Sequence, residues 1–149
     1  MPNRQDLIYV GAVIAVSFAM NYAWELAQLR FYANTGGLSA MWRHCMGSSI
    51  VDALLVLMIL SIGRLIFTEW NWFSHVGIGR YFFVLMVGAV VGISVEWIGL
   101  RLLHRWEYDE SMPIIPLFGV GIVPVTQMIL LPSASYWLAQ RTRLFAVRG

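Results

Sequence analysis

Glu25, Asp52 and Glu96 each interrupt a long apolar stretch near one of its ends. An acidic side chain at the middle of a bilayer costs about 2.5–3.5 kcal/mol on insertion scales, so it must face a partner, a protein interior or a wet site. Two carboxyls held close together do not both ionise readily; such a pair supplies one acid and one base. General acid–base catalysis needs that equipment, with both groups in reach of one substrate. Glu25, Glu96 and Asp52 are therefore the candidate catalytic residues, with His44 as a helper. Gln28, Trp97, Trp106, Tyr108 and Gln127 are the candidates for touching a substrate or partner. The tryptophans, Trp24 among them, and Tyr108 would line a mouth, packing against an isoprenoid or sterol-like skeleton or turning ring faces toward a cation.

Two other readings use the same residues. Glu, Asp and His are suitable ligands for iron, zinc or copper. The Glu-x-x-His pair of carboxylate-bridged metal bundles is missing, because Gln28 stands at that offset from Glu25 and Gly99 at that offset from Glu96. No metal is assigned and the cofactor is left unknown. In the structural reading, Glu25 pairs with Arg30, Arg43 or Arg101, and the chain is an accessory or scaffold subunit of a larger membrane complex associated with a metal or quinone. Catalytic triads and phosphate loops have no support in the spacing.

The elements that must position these groups are membrane spans. Only 12% of residues are charged, 59% are hydrophobic, and mean hydropathy is +0.69. A soluble surface does not tolerate that composition. All 10 basic residues are arginine and sit singly near segment ends, which excludes a basic stripe for nucleic acid. The single Cys45 excludes an internal disulfide and a thiol-rich metal site. Four stretches reach the roughly 20 residues a bilayer requires: about 7–29, 46–67, 81–103 and 114–139. The expected fold is an all-α, four-helix transmembrane bundle in one domain, 1–149, since a spanning segment must satisfy its own backbone. The first stretch lacks a small-x-small cleavage site and reads as a retained span. The 68–80 connection, with Trp70, Trp72 and Phe73, reads as interfacial.

Spacing then aligns the polar groups. Ser17, Asn21, Glu25 and Gln28 form one stripe on the first span. His44, Ser48 and Asp52 align if the second span is already helical at His44. Gly88, Gly92, Glu96 and Gly99 share a face of the third, where Gly88-x-x-x-Gly92 admits a close neighbour and turns Glu96 inward. On the fourth, Pro124 would leave the Val120 carbonyl without its helical donor, opening the helix beside Gln127. Arg4, Arg64, Arg80, Arg141, Arg143 and Arg148 fall on one side of the membrane. Arg30, Arg43, Arg101 and Arg105 fall on the other, with Glu107, Asp109 and Glu110. Both termini are thus expected in the cytoplasm, and the three carboxylates at one level in the opposite half of the bilayer.

Trp106-Glu107-Tyr108, followed by Met112-Pro113, Pro116 and Pro124-x-x-Gln127, resembles the stretch before the last helices of small lycopene cyclase domains. That family carries Pro-x-Glu acids where Val125-Thr126-Gln127 stands here. The resemblance carries no function across and only points the enzyme reading toward isoprenoid-type substrates. The expectation is a small multi-pass protein of a cell membrane, such as a bacterial inner membrane, acting by acid–base chemistry on a lipid or isoprenoid. Its expected partners are membrane lipids and other membrane chains or further copies of itself, and no nucleic acid.

Overall fold

The computed structural model describes residues 3–33, 38–74 and 77–146. Four helices dominate: α1 (Arg4–Gln28), α2 (Leu38–Phe67), α3 (Ile78–Trp97) and α4 (Ile122–Ala146). Each contains a stretch long and apolar enough to cross a membrane, so the chain is an all-α, multi-pass membrane protein. A capping box starts α1: the Asn3 Oδ1 accepts from the Asp6 backbone N–H at 2.8 Å, and the Asp6 carboxylate accepts from the Asn3 N–H at 2.9 Å.

Two span boundaries differ from the sequence expectation. The second helix begins at Leu38 rather than near Met46. Arg43 and His44 are exposed on its surface, and exposed polar side chains do not interrupt a helical backbone. Its 30 residues extend about 45 Å, longer than a hydrocarbon core of about 30 Å. The fourth helix begins at Ile122, not 114. Residues 114–121 form a small antiparallel hairpin, β1 (Ile114–Ile115) with β2 (Val120–Gly121). Pro113 and Pro116 lack the N–H a helix needs, and Gly119 turns the hairpin at φ +65°, a left-handed value that favours glycine. Pro124 then falls in the first turn of α4, where no intrahelical donor is required. The expected opened helix at Val120 is therefore absent; Val120 pairs with Ile115 instead.

The helices stand in the order α2–α1–α4–α3, each packed along its length on the next. Although α2 and α3 are joined directly by the 68–77 connection, they scarcely touch along their lengths. Their rings meet at the connection, where Phe67 lies edge-on to Phe83 at 5.6 Å. Trp72 and Phe73, in the connection read as interfacial, are both fully buried within the protein. The Trp72 ring occupies the space a side chain on Gly63 would fill, and its indole N–H donates to the Leu60 carbonyl at 3.1 Å. Tyr136 and Phe83 pack edge-on around it, and Arg80 bonds the Trp72 carbonyl. This plug forms the apolar core at one end of the bundle. His75 lies outside the described residues.

On the other side of α3, Gly88 and Gly92 are buried against α4. A Cβ on Gly88 would overlap the Met128 carbonyl oxygen. Pro132, inside α4, removes the helical donor that carbonyl would otherwise have. The proline and the glycine thus work as a pair that lets α3 and α4 approach closely.

Candidate functional site

Opposite the aromatic plug, polar side chains from all four helices converge. The α1 stripe is buried as its spacing predicts: Ser17, Asn21, Glu25 and Gln28 all face inward. Asp52 meets them from α2, Glu96 from α3 and Gln127 from α4, around one cleft also lined by Gly92, Val95, Pro124 and Met128. The acids named from sequence are thus brought to one level by three separate helices.

Gln127 is the hub. Its Nε2 donates to Asn21 Oδ1 at 2.8 Å and to Asp52 Oδ2 at 2.9 Å, with Glu25 Oε1 at 3.5 Å beyond them. An amide nitrogen has two protons, so the two short bonds use both. The Gln127 Oε1 accepts from Gln28 Nε2 at 3.2 Å, and the same Gln28 nitrogen donates to Glu25 Oε1 at 2.8 Å. Trp24 closes the chain by donating its indole N–H to Gln28 Oε1 at 3.2 Å. Glu25 and Asp52 thus approach each other across the Gln127 amide.

Glu96 is served differently. The Tyr108 hydroxyl donates to Glu96 Oε2 and accepts from the Gly121 backbone N–H, the latter at 2.8 Å. The segment carrying Tyr108 is strapped across the end of the bundle. Its Tyr108 pairs with Tyr32 as an isolated β-bridge, Ala33 N–H donates to the Glu107 carbonyl at 3.0 Å, and Asp109 N–H donates to the Phe31 carbonyl at 2.9 Å. Just past Glu96, α3 widens into a π-helical turn, Ile98–Leu102, a feature often found at functional sites. Within that turn Gly99 leaves room for the Trp106 ring, which lies where a Cβ would stand. The Trp106 indole N–H is near Glu96 but outside hydrogen-bond geometry. Burial, then the nearby Glu96 carboxylate, pushes the Tyr108 and Tyr32 hydroxyls above the usual tyrosine range. Asp109, fully exposed, is held below the usual range by the backbone N–H of Ser111 and then by its side chain.

Not every candidate joins the site. His44 is exposed two turns above Asp52 and does not line the cleft. Trp97 is 44% exposed and turned away from the cleft. The pairing of Glu25 with an arginine is not found: among the described residues the site's partners are amides and a phenol. Arg30 instead lies over the Phe31 ring at 4.7 Å, Arg43 is exposed, and the Arg101 guanidinium sits by Gly119. No set of three His, Cys, Asp or Glu side chains among the described residues has the arrangement of metal ligands. Cys45 is a buried free thiol whose backbone carbonyl takes the Ser49 hydroxyl at 2.6 Å. Sequence reasoning assigns no role to Asn21, although its place in the stripe is the available signal. Tyr32 and Val95 carry no signal at all, because only tertiary packing brings them to the site.

Comparison with protein-family models, with characterised proteins and with solved structures gives no match.

Proposed function

We propose that this protein is a membrane-embedded acid–base catalyst acting on a lipid or isoprenoid-type substrate. The observation that carries the reading is the division of labour across one cleft. On the α1–α2 side, Glu25 and Asp52 gather around the Gln127 amide, and two carboxyls brought so close do not both ionise readily; on the α3 side, Glu96 takes a hydrogen bond from Tyr108 and stands as the acceptor. An acid facing a base over an unsaturated chain supports a proton-shuffling reaction. The pair delivers its proton to one carbon of a C=C bond, forming a C–H bond and leaving positive charge on the neighbouring carbon. A C–H bond next to that centre breaks, its proton goes to Glu96, and its electron pair forms the new C=C bond. The sum is a double-bond shift, or a ring closure when a second alkene attacks first, with no oxidant or reductant consumed. The carboxylates that line the cleft would stabilise the passing positive charge.

Deuterium exchange tests this on a mixture, so the substrate itself need not be identified beforehand. The protein in lipid nanodiscs is incubated in D2O with a mixture of polyprenols and extracted membrane lipids, and the products are analysed by mass spectrometry. Deuterium should enter one alkene-bearing component. Glu25→Gln and Glu96→Gln should each slow incorporation by about 10²-fold or more, the usual contribution of a positioned acid or base. Incorporation that is absent, or unchanged in both variants, refutes the proposal and leaves the accessory-subunit reading in its place.

A further inference from the structure

We infer that the cleft is entered sideways from the bilayer, through the seam between α2 and α3, by the end of a long hydrocarbon chain. The argument is one of closed exits. Three sides are shut by the tight α1–α2, α1–α4 and α3–α4 contacts. One end is shut by the plug of Phe67, Trp72 and Phe83. Among the described residues, the other end is shut by the strap, with Tyr108 bonded to Glu96 and Gly121 and the Trp106 ring pressed on Gly99. The remaining side is the α2–α3 face, where the two helices scarcely meet and where Asp52 and Val95 form the two lips of the cleft. One turn further along, Leu55 and Val91 continue the seam as half-buried apolar positions. These positions belong to membrane-spanning stretches of α2 and α3, so the seam faces acyl chains rather than water.

Size identifies what enters. The cavity is about 30 Å³, room for about two water-sized groups. Whole-ligand pockets run to about 300–1,000 Å³. A fused-ring molecule would not be enclosed, whereas the tip of a linear chain would be, with the rest of the chain left among the lipids. A polyprenyl chain meets both conditions: it is already dissolved in the bilayer, and its terminal alkene is what the carboxyls would address. The position of the reacting end rests on the acid–base reading; the route of entry does not.

Photolabelling tests the route. Geranylgeraniol carrying a diazirine at its hydrocarbon end is incorporated into nanodiscs containing the full chain, irradiated, and the labelled peptides are sequenced. Labelling is expected at Leu55, Val91 and Val95. Val95→Trp and, from the opposite lip, Leu55→Trp should each reduce it at least tenfold while thermal melts stay close to that of the wild type. Glu25→Gln should leave it intact. Labelling confined to the strap, or unaffected by both tryptophans in folded protein, overturns lateral entry. Seam labelling without deuterium exchange keeps the route and removes the chemistry; exchange without seam labelling does the reverse.

Discussion

Gln127→Leu removes a side chain that, from α4, bonds partners on both α1 and α2, and it does so at nearly constant volume. Three bonds are lost: the donors to Asn21 at 2.8 Å and Asp52 at 2.9 Å, and the acceptor for Gln28 at 3.2 Å. Side-chain hydrogen bonds inside membrane proteins average about 0.6 kcal/mol, so the bonds alone account for about 2 kcal/mol. A second term depends on what is left behind. Asp52 is half-buried at the cleft and can recruit water, and Gln28 keeps its bond to Glu25. Asn21 is fully buried, and its Oδ1 would have no donor, which costs about 1–3 kcal/mol more. The expected destabilisation is therefore about 3–5 kcal/mol.

Reversible unfolding by SDS in mixed micelles, followed by far-UV circular dichroism, measures it. Leu130→Ala, on a lipid-facing position of the same helix, serves as the reference and should cost under about 1 kcal/mol. Asn21→Leu should be less than additive with Gln127→Leu, with a coupling of about 0.6–1.7 kcal/mol. If Gln127→Leu falls within about 1 kcal/mol of the wild type, or the two variants add within about 0.3 kcal/mol, the amide is not what ties α4 to α1 and the reasoning fails.

The glycines divide sharply by what surrounds them. Gly88→Ala drives a Cβ into the Met128 carbonyl, which belongs to backbone and cannot step aside, and should cost about 1–3 kcal/mol in the same unfolding assay. Gly11→Ala meets nothing within 4 Å and should instead stabilise α1 by about 0.5–1 kcal/mol; equal effects at the two sites would contradict the packing. Tyr108 is held protonated by burial and Glu96, so its folded form resists ionisation while an unfolded tyrosine ionises near pH 10. With the folded state binding the extra proton, stability should decline as pH rises past about 10, and Tyr108→Phe should flatten that decline. Asp109 has the opposite sign: its lowered value favours folding above the ordinary carboxylate range and loses that contribution as acid is added. Ser111→Pro, which deletes the N–H it relies on, should move the Asp109 carboxyl signal in an NMR titration back up.

Periodicity carries the helices and the inward faces. The i, i+4 stripe through Asn21 and Glu25 and the glycine face ending at Glu96 are properties of a single helix, and single-helix properties can be read from spacing. Alternation of spans then suffices to put the three acids at one level. The connections are less legible. Hydropathy treats 114–121 as span, since Ile, Leu, Phe and Val fill it, and only the prolines and the left-handed Gly119 mark it as a hairpin. Trp72 reads as interfacial because aromatic residues near span ends usually sit there. Its burial depends on Gly63, nine positions earlier, making a socket that no local pattern announces. His44 is exposed and does not line the cleft: alignment with Asp52 along one helix does not establish that both face it.

The helix least suited to lipid explains why the polar site survives in a membrane. Of the four spans α4 is among the least hydropathic, at 1.3 against 1.6–2.4 for the others, yet 50% of its most apolar stretch is buried against 22–28% for the rest. Placed between α1 and α3 and touched by α2, it is partly withdrawn from lipid, so Gln127 and Pro132 incur little of the cost they would meet on an outer helix. The bundle accordingly divides its tasks by depth. Tyr136, bonded to the Val56 carbonyl at 2.7 Å amid the aromatic plug, secures the apolar end, while Gln127, more than two turns earlier on the same helix, organises the acids. The plug joins α2, α3 and α4 at one end, while α2 and α3 scarcely touch beside Asp52 and Val95. On the lateral-entry proposal, a bundle that also closed α2 onto α3 would gain contacts and shut the carboxyls away from the chain end.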